Sequence, residues 1–272
     1  CRGRTVWVDH LWNKVVPLQL PYDRPRPAIK TLNGAHLPFG LTATEHESLR
    51  KLREENKAHS IYTILLGITA ILLHRLTGEE HISIGSRSGR RNRPELEHMA
   101  GLFVNTILVY AEAKSRYTTG QIIHQVHQYI SESIPHQDYP FHKLISRLQR
   151  PQDRSRSPLF DVLLDLVNVE DQTSTANTQQ LSVTPYPGKH ILSKYDLAFR
   201  ARGEGDQIHL TLEYNTDLFD EATVELFRRQ WIEILHQAAQ NPSCALEDLV
   251  LTEAEIEPEQ QAQIVDMFNE SF

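Results

Sequence analysis

One stretch of the chain, from Met99 to Tyr110, restricts the fold more than any other. Its apolar and β-branched side chains are typical of a strand buried on both faces: Phe103, Val104, Ile107, Leu108 and Val109. Asn105 and Thr106 interrupt this run, and buried amide and hydroxyl groups need hydrogen-bond partners. The pair therefore marks either a structural hydrogen-bonding position or the wall of a site, and the stretch alone leaves both interpretations open.

The composition is that of an ordinary globular protein and argues against some functions. With 272 residues, of which 40% are hydrophobic, the chain can bury a sizeable core in one large domain or two small ones. The net charge of −7 argues against general nucleic-acid binding, because no concentrated basic face is available to contact phosphates. Basic residues cluster only locally, at 87–93 and 147–156, and such runs are usually solvated loops.

The cysteines and the chain start predict a cytoplasmic protein. Only Cys1 and Cys244 occur, which gives neither a disulfide framework nor a zinc-ligand spacing. The first residues lack the apolar core of a signal peptide. The longest apolar stretch, Ile61 to Leu73, is too short to span a bilayer and predicts a buried helix that Ser60 begins and Gly78 ends. Because the chain opens without an initiator Met, we expect an excised or incomplete segment.

The rest of the pattern mixes strands with long helices and lacks a strict βαβ repeat, which predicts an α/β, sandwich-like domain. A helix is expected within 1–16 and an extended proline-rich connector over 17–27. Thr42 or Thr44 is expected to cap the next helix, with Glu47 as its capping-box partner. The predicted strands are 34–41, 81–85, 159–169, 195–202 and 207–214, and the further helices are 61–76, 118–134, 141–148 and 221–239.

Three familiar chemical motifs fail on inspection. His124 and His127 have a metal-ligand spacing on a helix, but without a third ligand a solvated helical face is the better interpretation. The segment Gly85 to Gly89 has Arg where a nucleophile elbow needs Ser. The glycines at 203 and 205 lie in a predicted hairpin rather than between a strand and a helix, so they do not bind a dinucleotide.

Two polar segments have both a structural and a chemical interpretation. His136 to Phe141 combines an imidazole, an amide and a carboxylate at a helix break. Asp138 is well placed to cap the helix that follows, with Pro140 at its first position, and this structural role is favoured over direct chemistry. Arg154 and Arg156 stand in a predicted turn before a buried strand, where they could pair with carboxylates from elsewhere in the chain.

Taken together, these ordered segments resemble the condensation domains of nonribosomal peptide synthetases. Gly101 to Thr106 resembles the family motif G-x-F-V-N-T, and His136 to Phe141 is similar to H-Q-D-x-P-F-E. Asp153 to Phe160 is similar to R-D-x-S-R-N-P-L. Supporting similarities lie at 20–27 and 213–219, and residues 251–255 resemble the linker that leads into an adenylation domain.

The resemblance implies an α/β fold that is only part of a larger one. Condensation domains have two lobes with a chloramphenicol-acetyltransferase-like fold, and this chain resembles the C-terminal lobe, a mixed sheet flanked by helices. The family motif H-H-x-x-x-D-G belongs to the first lobe, and no two of the 14 histidines here are adjacent. The family's catalytic histidine, which assists attack of an acceptor amine on a donor thioester, therefore has no counterpart, and the isolated chain is expected to be inactive.

The resemblance also implies residue roles. Arg91 corresponds to an arginine that pairs with the aspartate of the missing motif, so it would join the lobes and be exposed and partnerless in this chain. Four positions depart from the family pattern: Arg87, His142, Gln152 and Ser157. His142 and Gln152 together change the local charge, which puts the channel electrostatics implied by the family in doubt. The implied substrate-tunnel or framework residues are Asn105, Thr106, His136, Asp138, Arg154 and Arg156.

The expected organisation follows from the same resemblance. Residues 1–33 would form an inter-lobe helix and proline-rich connector, 34–250 the C-terminal lobe, and 251–272 a linker towards an adenylation domain. Expected partners are the N-terminal lobe, peptidyl carrier proteins and an adenylation domain, with neither nucleic acid nor membrane. No metal or directly bound cofactor is implied, since the substrates travel on phosphopantetheine arms. The alternatives are a non-catalytic docking module and a related two-lobed acyltransferase that acts on a free alcohol or amine.

Overall fold

The structure, a computed structural model, describes residues 11, 14–55, 59–89, 94–148, 153–168, 191–204 and 207–253. Within these residues the strands are β1 (Gly34–Gly40), β2 (His81–Ser88), β3 (Asn105–Glu112), β4 (Val162–Asn168), β5 (Leu197–Glu204) and β6 (Gln207–Asn215). The helices are α1 (Ala43–Glu55), α2 (Ile61–Thr77), α3 (Pro94–Glu97), α4 (Thr119–Ser133), α5 (Phe141–Leu148) and α6 (Glu221–Gln240).

The six strands form one mixed sheet in the order β1-β6-β5-β4-β2-β3. Strand β4 runs parallel to both of its neighbours, β2 and β5, whereas the other pairs are antiparallel. The predicted hairpin is present, because β5 and β6 pair from Leu197↔Tyr214 to Glu204↔Gln207. The predicted mixed sheet flanked by helices is thus confirmed.

The first face of the sheet is covered by α1, α2, α4 and α6, which bury the larger apolar core. Helix α2 is buried nearly all round because it lies among the other helices and the sheet. As predicted, it begins at its N-cap Ser60, which accepts a hydrogen bond from the Thr63 N–H at 3.2 Å, and ends at left-handed Gly78 (φ 71°). Trp231 of α6 is fully buried and donates to Thr69 Oγ1 at 3.1 Å.

The second face carries a smaller apolar cluster at one end only. Helix α5 and the segment that contains Leu11 and Val15 pack there against Phe160 and Leu163. Gly85 makes this packing close, because a Cβ atom at that position would lie 2.1 Å from the Phe160 ring. Among the described residues, the remainder of the second face is lined by charged side chains instead of a helix layer.

Several local predictions need correction. The partner of Thr42 is Glu45, which binds the Thr42 backbone N–H and hydroxyl, whereas Glu47 pairs with Arg50. Strand β4 starts at Val162 rather than at Leu159, because Leu159 has φ 72° and cannot continue a strand. Strand β2 extends to Ser88, three residues beyond the predicted end, because it stays paired with β3.

Other predictions lie outside the described residues: most of the helix within 1–16, Arg91, and the chain from 254 onwards. No helix in the described part of the chain combines the length and the apolar character that a membrane crossing requires.

Candidate functional site

Asn105, at the first position of β3, joins this strand to the loop before α5. Its Nδ2 donates to the carbonyl oxygens of Gln137 at 2.8 Å and of Tyr139 at 3.0 Å. Its Oδ1 accepts from the Phe141 N–H at a longer 3.4 Å. Both ends of the amide are therefore occupied, which explains why a polar residue opens an otherwise apolar strand.

The loop held by Asn105 carries the other two predicted residues of this region. His136 ends a short 3₁₀ turn, Ile134–His136, and is half-buried, whereas Asp138 is exposed. Gln137 adds a second link to the sheet, because its Oε1 accepts a hydrogen bond from the Ser88 hydroxyl at the end of β2. The structure thus brings the segment Gly101 to Thr106 and the segment His136 to Phe141 into direct contact.

A row of charges crosses the second face beside this junction. Thr106 on β3 is the cross-strand partner of Arg87 on β2, and the Arg87 guanidinium contacts the Asp165 carboxylate on β4. Asp165 stands opposite Arg200 on β5, whose Nη1 lies 4.0 Å from Asp165 Oδ2. Register and side-chain contact therefore place Thr106 in a polar strip, which we call the charged row.

The charged row continues to the edge of the sheet. Arg200 Nε donates to Glu213 Oε2 on β6 at 2.8 Å, and His36 Nε2 on β1 lies 3.4 Å from the same oxygen. Asp165 and Glu213 are buried, at 5% and 3% exposure, beneath partly exposed arginines. Within the described residues, Glu213 Oε1 has no hydrogen-bond partner. Burying two carboxylates is costly unless they are paired, so the arginines are needed to keep this strip folded.

Tyr195 lies near these charges. Burial raises the pKa of its phenol, and the nearby Arg87 and Arg200 partly oppose that shift. The phenol therefore stays protonated at neutral pH and can donate a hydrogen bond. No role was predicted for Tyr195 from the sequence.

Arg156 has a structural partner within its own segment. Its Nε donates to Asp161 Oδ1 at 2.9 Å, and its Nη2 donates to Asp161 Oδ2 at 2.7 Å and to the Leu18 carbonyl at 2.8 Å. Burial, and then the neighbouring Asp196, raise the pKa of Asp161, and Arg156 opposes them. Arg154, only two residues away, is exposed.

The proline-rich connector is anchored by a second pair of this kind. Arg26 binds Asp196, with Nη1 3.1 Å from Oδ1, and its guanidinium lies over the Tyr22 ring. The Tyr22 hydroxyl donates to Asp196 Oδ2 at 3.1 Å, and burial raises the pKa of this phenol. Asp161 and Asp196 immediately precede β4 and β5, so the two pairs fasten the connector to the N-terminal ends of these two central strands.

The predicted site residues therefore form two groups rather than one. Asn105, Thr106 and the loop with His136 and Asp138 lie beside the middle of β4, since Arg87, the cross-strand partner of Thr106, contacts Asp165. Arg156 binds Asp161, which immediately precedes β4 and lies four residues before Asp165, roughly 13 Å along the chain at about 3.3 Å per residue. Arg91, the predicted lobe-joining residue, lies outside the described residues.

The imidazoles of His59, His124 and His127 lie together at the N-terminal end of α2 and on α4. The ring centroids of His59 are 5.7 Å from His124 and 5.1 Å from His127. His59 is the third histidine that the sequence pattern lacked. In the part of the chain that the structure describes, however, no group of three such side chains is arranged to hold a metal ion.

The architecture gives the class of protein: an α/β fold with one mixed sheet flanked by helices, which solved synthetase and X-domain structures share. The X-domain from teicoplanin biosynthesis matches 92% of this chain with a TM-score of 0.83 and 27% identity, and the match covers 57% of that chain. A holo four-domain nonribosomal peptide synthetase, AB3403, bound to AMP and glycine, matches 93% of this chain with a TM-score of 0.82 and 21% identity.

The sequence comparisons give the family. The model of the Condensation domain matches residues 3–262, so the chain belongs to the condensation-domain family. Tyrocidine synthase 3 of Brevibacillus parabrevis is 33% identical over 92% of the chain, and surfactin synthase subunit 1 of Bacillus subtilis (strain 168) is 30% identical over 98%. The chain spans only 4% and 7% of the lengths of these two proteins.

Proposed function

We propose that the chain is the C-terminal lobe of a condensation domain, forming one wall of a tunnel in which two carrier-bound thioester substrates are joined by an amide bond. Residues 1–33 would connect it to the first lobe, 34–250 would form the lobe, and 251–272 would lead towards an adenylation domain. The catalytic histidine would come from the first lobe, so the chain alone is inactive. The observation that carries the proposal is the joining of two family motifs through Asn105.

The contacts divide the proposed roles. Asn105 braces the wall, because both ends of its amide are occupied within the junction. Thr106 and the partly exposed arginines of the charged row face the side of the sheet that the described helices leave uncovered, which is where substrate or the other lobe would lie. Arg156 serves as framework, since its guanidinium is committed to Asp161 and Leu18.

The test is reconstitution of a two-lobed protein. The chain is assayed alone and joined to a segment that carries H-H-x-x-x-D-G, and amide formation between an acyl and an aminoacyl carrier thioester is followed by mass spectrometry. We expect product only from the two-lobed protein. Product from the chain alone, or none from a folded two-lobed protein, would contradict the proposal.

Arg91→Ala tests the joining of the lobes. We expect unchanged stability of the chain alone but loss of activity in the two-lobed protein, because the aspartate of the other lobe would remain unpaired. Arg53→Ala, at an exposed position in the last turn of α1, is the matched control and should leave both properties unchanged. Strong destabilisation of the isolated lobe by Arg91→Ala would refute a lobe-joining role.

A docking module is the second candidate. It is supported by a related fold: the X-domain has been solved in complex with OxyB from teicoplanin biosynthesis, and that domain matches 93% of this chain with a TM-score of 0.83. This candidate predicts that the two-lobed protein binds a carrier or adenylation domain without forming product. Measuring binding and turnover on the same preparation separates the two candidates.

A further inference from the structure

A cavity of about 460 Å³ lies between the connector, α5 and the turn 153–161. This volume falls in the range of pockets that hold small organic ligands. Its apolar wall is formed largely by Val15, Ile145, Leu159 and Phe160. The cavity is separate from the Asn105 junction and from the charged row, and the proposed amide formation does not use it.

The wall contains a strained residue. Leu159 has φ 72°, and among the described residues it is the only non-glycine residue with a positive φ. A branched side chain in the left-handed region costs free energy, and such residues persist where the surroundings over-determine the backbone, often at ligand sites. Here the unusual backbone leaves the Leu159 side chain partly buried against the apolar cluster that forms the cavity wall.

Two charged residues of the cavity lining, Arg156 and Asp161, neutralise each other. Arg156 binds both carboxylate oxygens of Asp161, and both residues also bind the backbone of Leu18. Neither group has a charge left over for a ligand. Any charged side chain that is available to pair with a ligand must therefore be one of the more exposed residues of the lining.

Two opposite charges remain among those residues. Asp153 and Arg154 both line the cavity and are exposed, and neither forms an ion pair with any other described residue. Hydrogen bonds from Ser155 lower the pKa of Asp153, so its carboxylate is ionised at neutral pH. A ligand with a single charge would satisfy one of these residues and be repelled by the other.

We propose that this cavity binds a free apolar α-amino acid, with the side chain against the apolar wall, the ammonium group at Asp153 and the carboxylate at Arg154. A zwitterion is the ligand class that complements both charges at once. An aminoacyl group on a carrier thioester has no free carboxylate, so this ligand differs from the substrates of the proposed amide formation. The inference therefore stands or fails independently of that function.

The test is a titration of the full chain with three related probes, followed by calorimetry and by NMR of the Ile145 and Leu159 methyl groups. L-phenylalanine keeps both charges, L-phenylalaninamide keeps only the ammonium, and 3-phenylpropanoate keeps only the carboxylate. We expect saturable, millimolar binding of phenylalanine and about fivefold weaker binding of each analogue, since an exposed ion pair contributes a factor of about that size.

Variants assign the two charges. Arg154→Gln should weaken phenylalanine binding about fivefold without weakening phenylalaninamide binding, and Asp153→Asn should do the same with 3-phenylpropanoate as the probe that is not weakened, because each variant removes the charge that repels that analogue. Arg53→Gln, far along the chain in α1, is the matched control. Both positions are exposed, so the variants should fold, which circular dichroism checks. Absence of saturable binding, equal affinity for all three probes, or unchanged phenylalanine affinity in both variants would overturn the proposal.

Discussion

The two faces of the sheet differ in the kind of side chain that they bury. The first face is closed by four helices, and residues such as Phe199 and Trp231 are fully buried in its core. The second face has an apolar cluster at one end only, and over the rest it pairs buried Asp165 and Glu213 with exposed arginines. Folding free energy therefore comes mainly from the first face, while the second face offers the groups that can bind something else.

The two faces should also tolerate substitutions differently. An apolar core tolerates exchange of one side chain for another of similar size. A buried carboxylate tolerates no loss of its partner, because the remaining charge has to be desolvated alone. Substitutions on the first face should thus change stability in proportion to volume, and those on the second face in proportion to uncompensated charge.

The largest effect is expected on the first face, from Trp231→Ala. The substitution removes a fully buried ring that packs against Phe39 and donates to Thr69. We expect a loss of about 3–5 kcal/mol in the free energy of unfolding, measured by urea denaturation. Trp231→Phe, which keeps most of the volume, should lose much less. An effect of Trp231→Ala below about 1 kcal/mol would contradict the assignment of the main core to this face.

The next largest effect is expected where Arg156 pairs with Asp161, and two substitutions in the same turn are compared to test it. Arg156→Ala leaves the buried Asp161 carboxylate without its bidentate partner, and we expect a loss of about 3 kcal/mol. Arg154→Ala, at an exposed position two residues away, should change the unfolding free energy by less than about 0.5 kcal/mol. Equal effects of the two substitutions would show that Arg156 acts only as a surface charge.

How far the sequence predicts this molecule differs between the two faces. Helix α2 and the β5–β6 hairpin were predicted because their signals are local: an N-cap Ser60, a terminal Gly78 and two alternating runs around glycines. The first face follows from such periodicity, since burial repeats along the chain. The family was likewise predicted correctly, because its motifs are short and ordered.

The ion pairs of the second face were not predicted, because they join residues that lie on different strands. Asp165 lies in the strand predicted at 159–169, but neither it nor Arg200 nor Glu213 was singled out. A signal existed: Asp161 and Asp165 have the same parity along β4 and must share a face. Arg156 lies only five residues from Asp161, but Arg87 and Arg200 come from other strands, and only the register of the sheet brings them beside Asp165.

A smaller effect is expected at the Asn105 junction. Asn105→Ala removes two donors to backbone carbonyls and one acceptor for the Phe141 N–H. Because the site is half-buried and water can partly replace these bonds, we expect a loss of about 1–2 kcal/mol in the free energy of unfolding. Amide hydrogen exchange should rise mainly in the loop 136–141. Uniform acceleration over the whole sheet would instead indicate a role in the global core.

The smallest effect concerns pH and the histidine cluster on the helical layer of the first face. Burial, followed by His127 and His124, lowers the pKa of His59 in the folded chain below its ordinary value of about 6.5. The unfolded state therefore takes up this proton more readily than the folded state does. The stabilisation is complete above about pH 6.5 and is lost as the pH falls through that value towards the folded pKa.

His59→Gln should flatten this part of the curve of unfolding free energy against pH, whereas His209→Gln, at an exposed position on β6, should leave it unchanged. If stability fell equally with pH in His59→Gln and in the unaltered chain, the cluster would have no part in it, and the pH response would have to come from other groups.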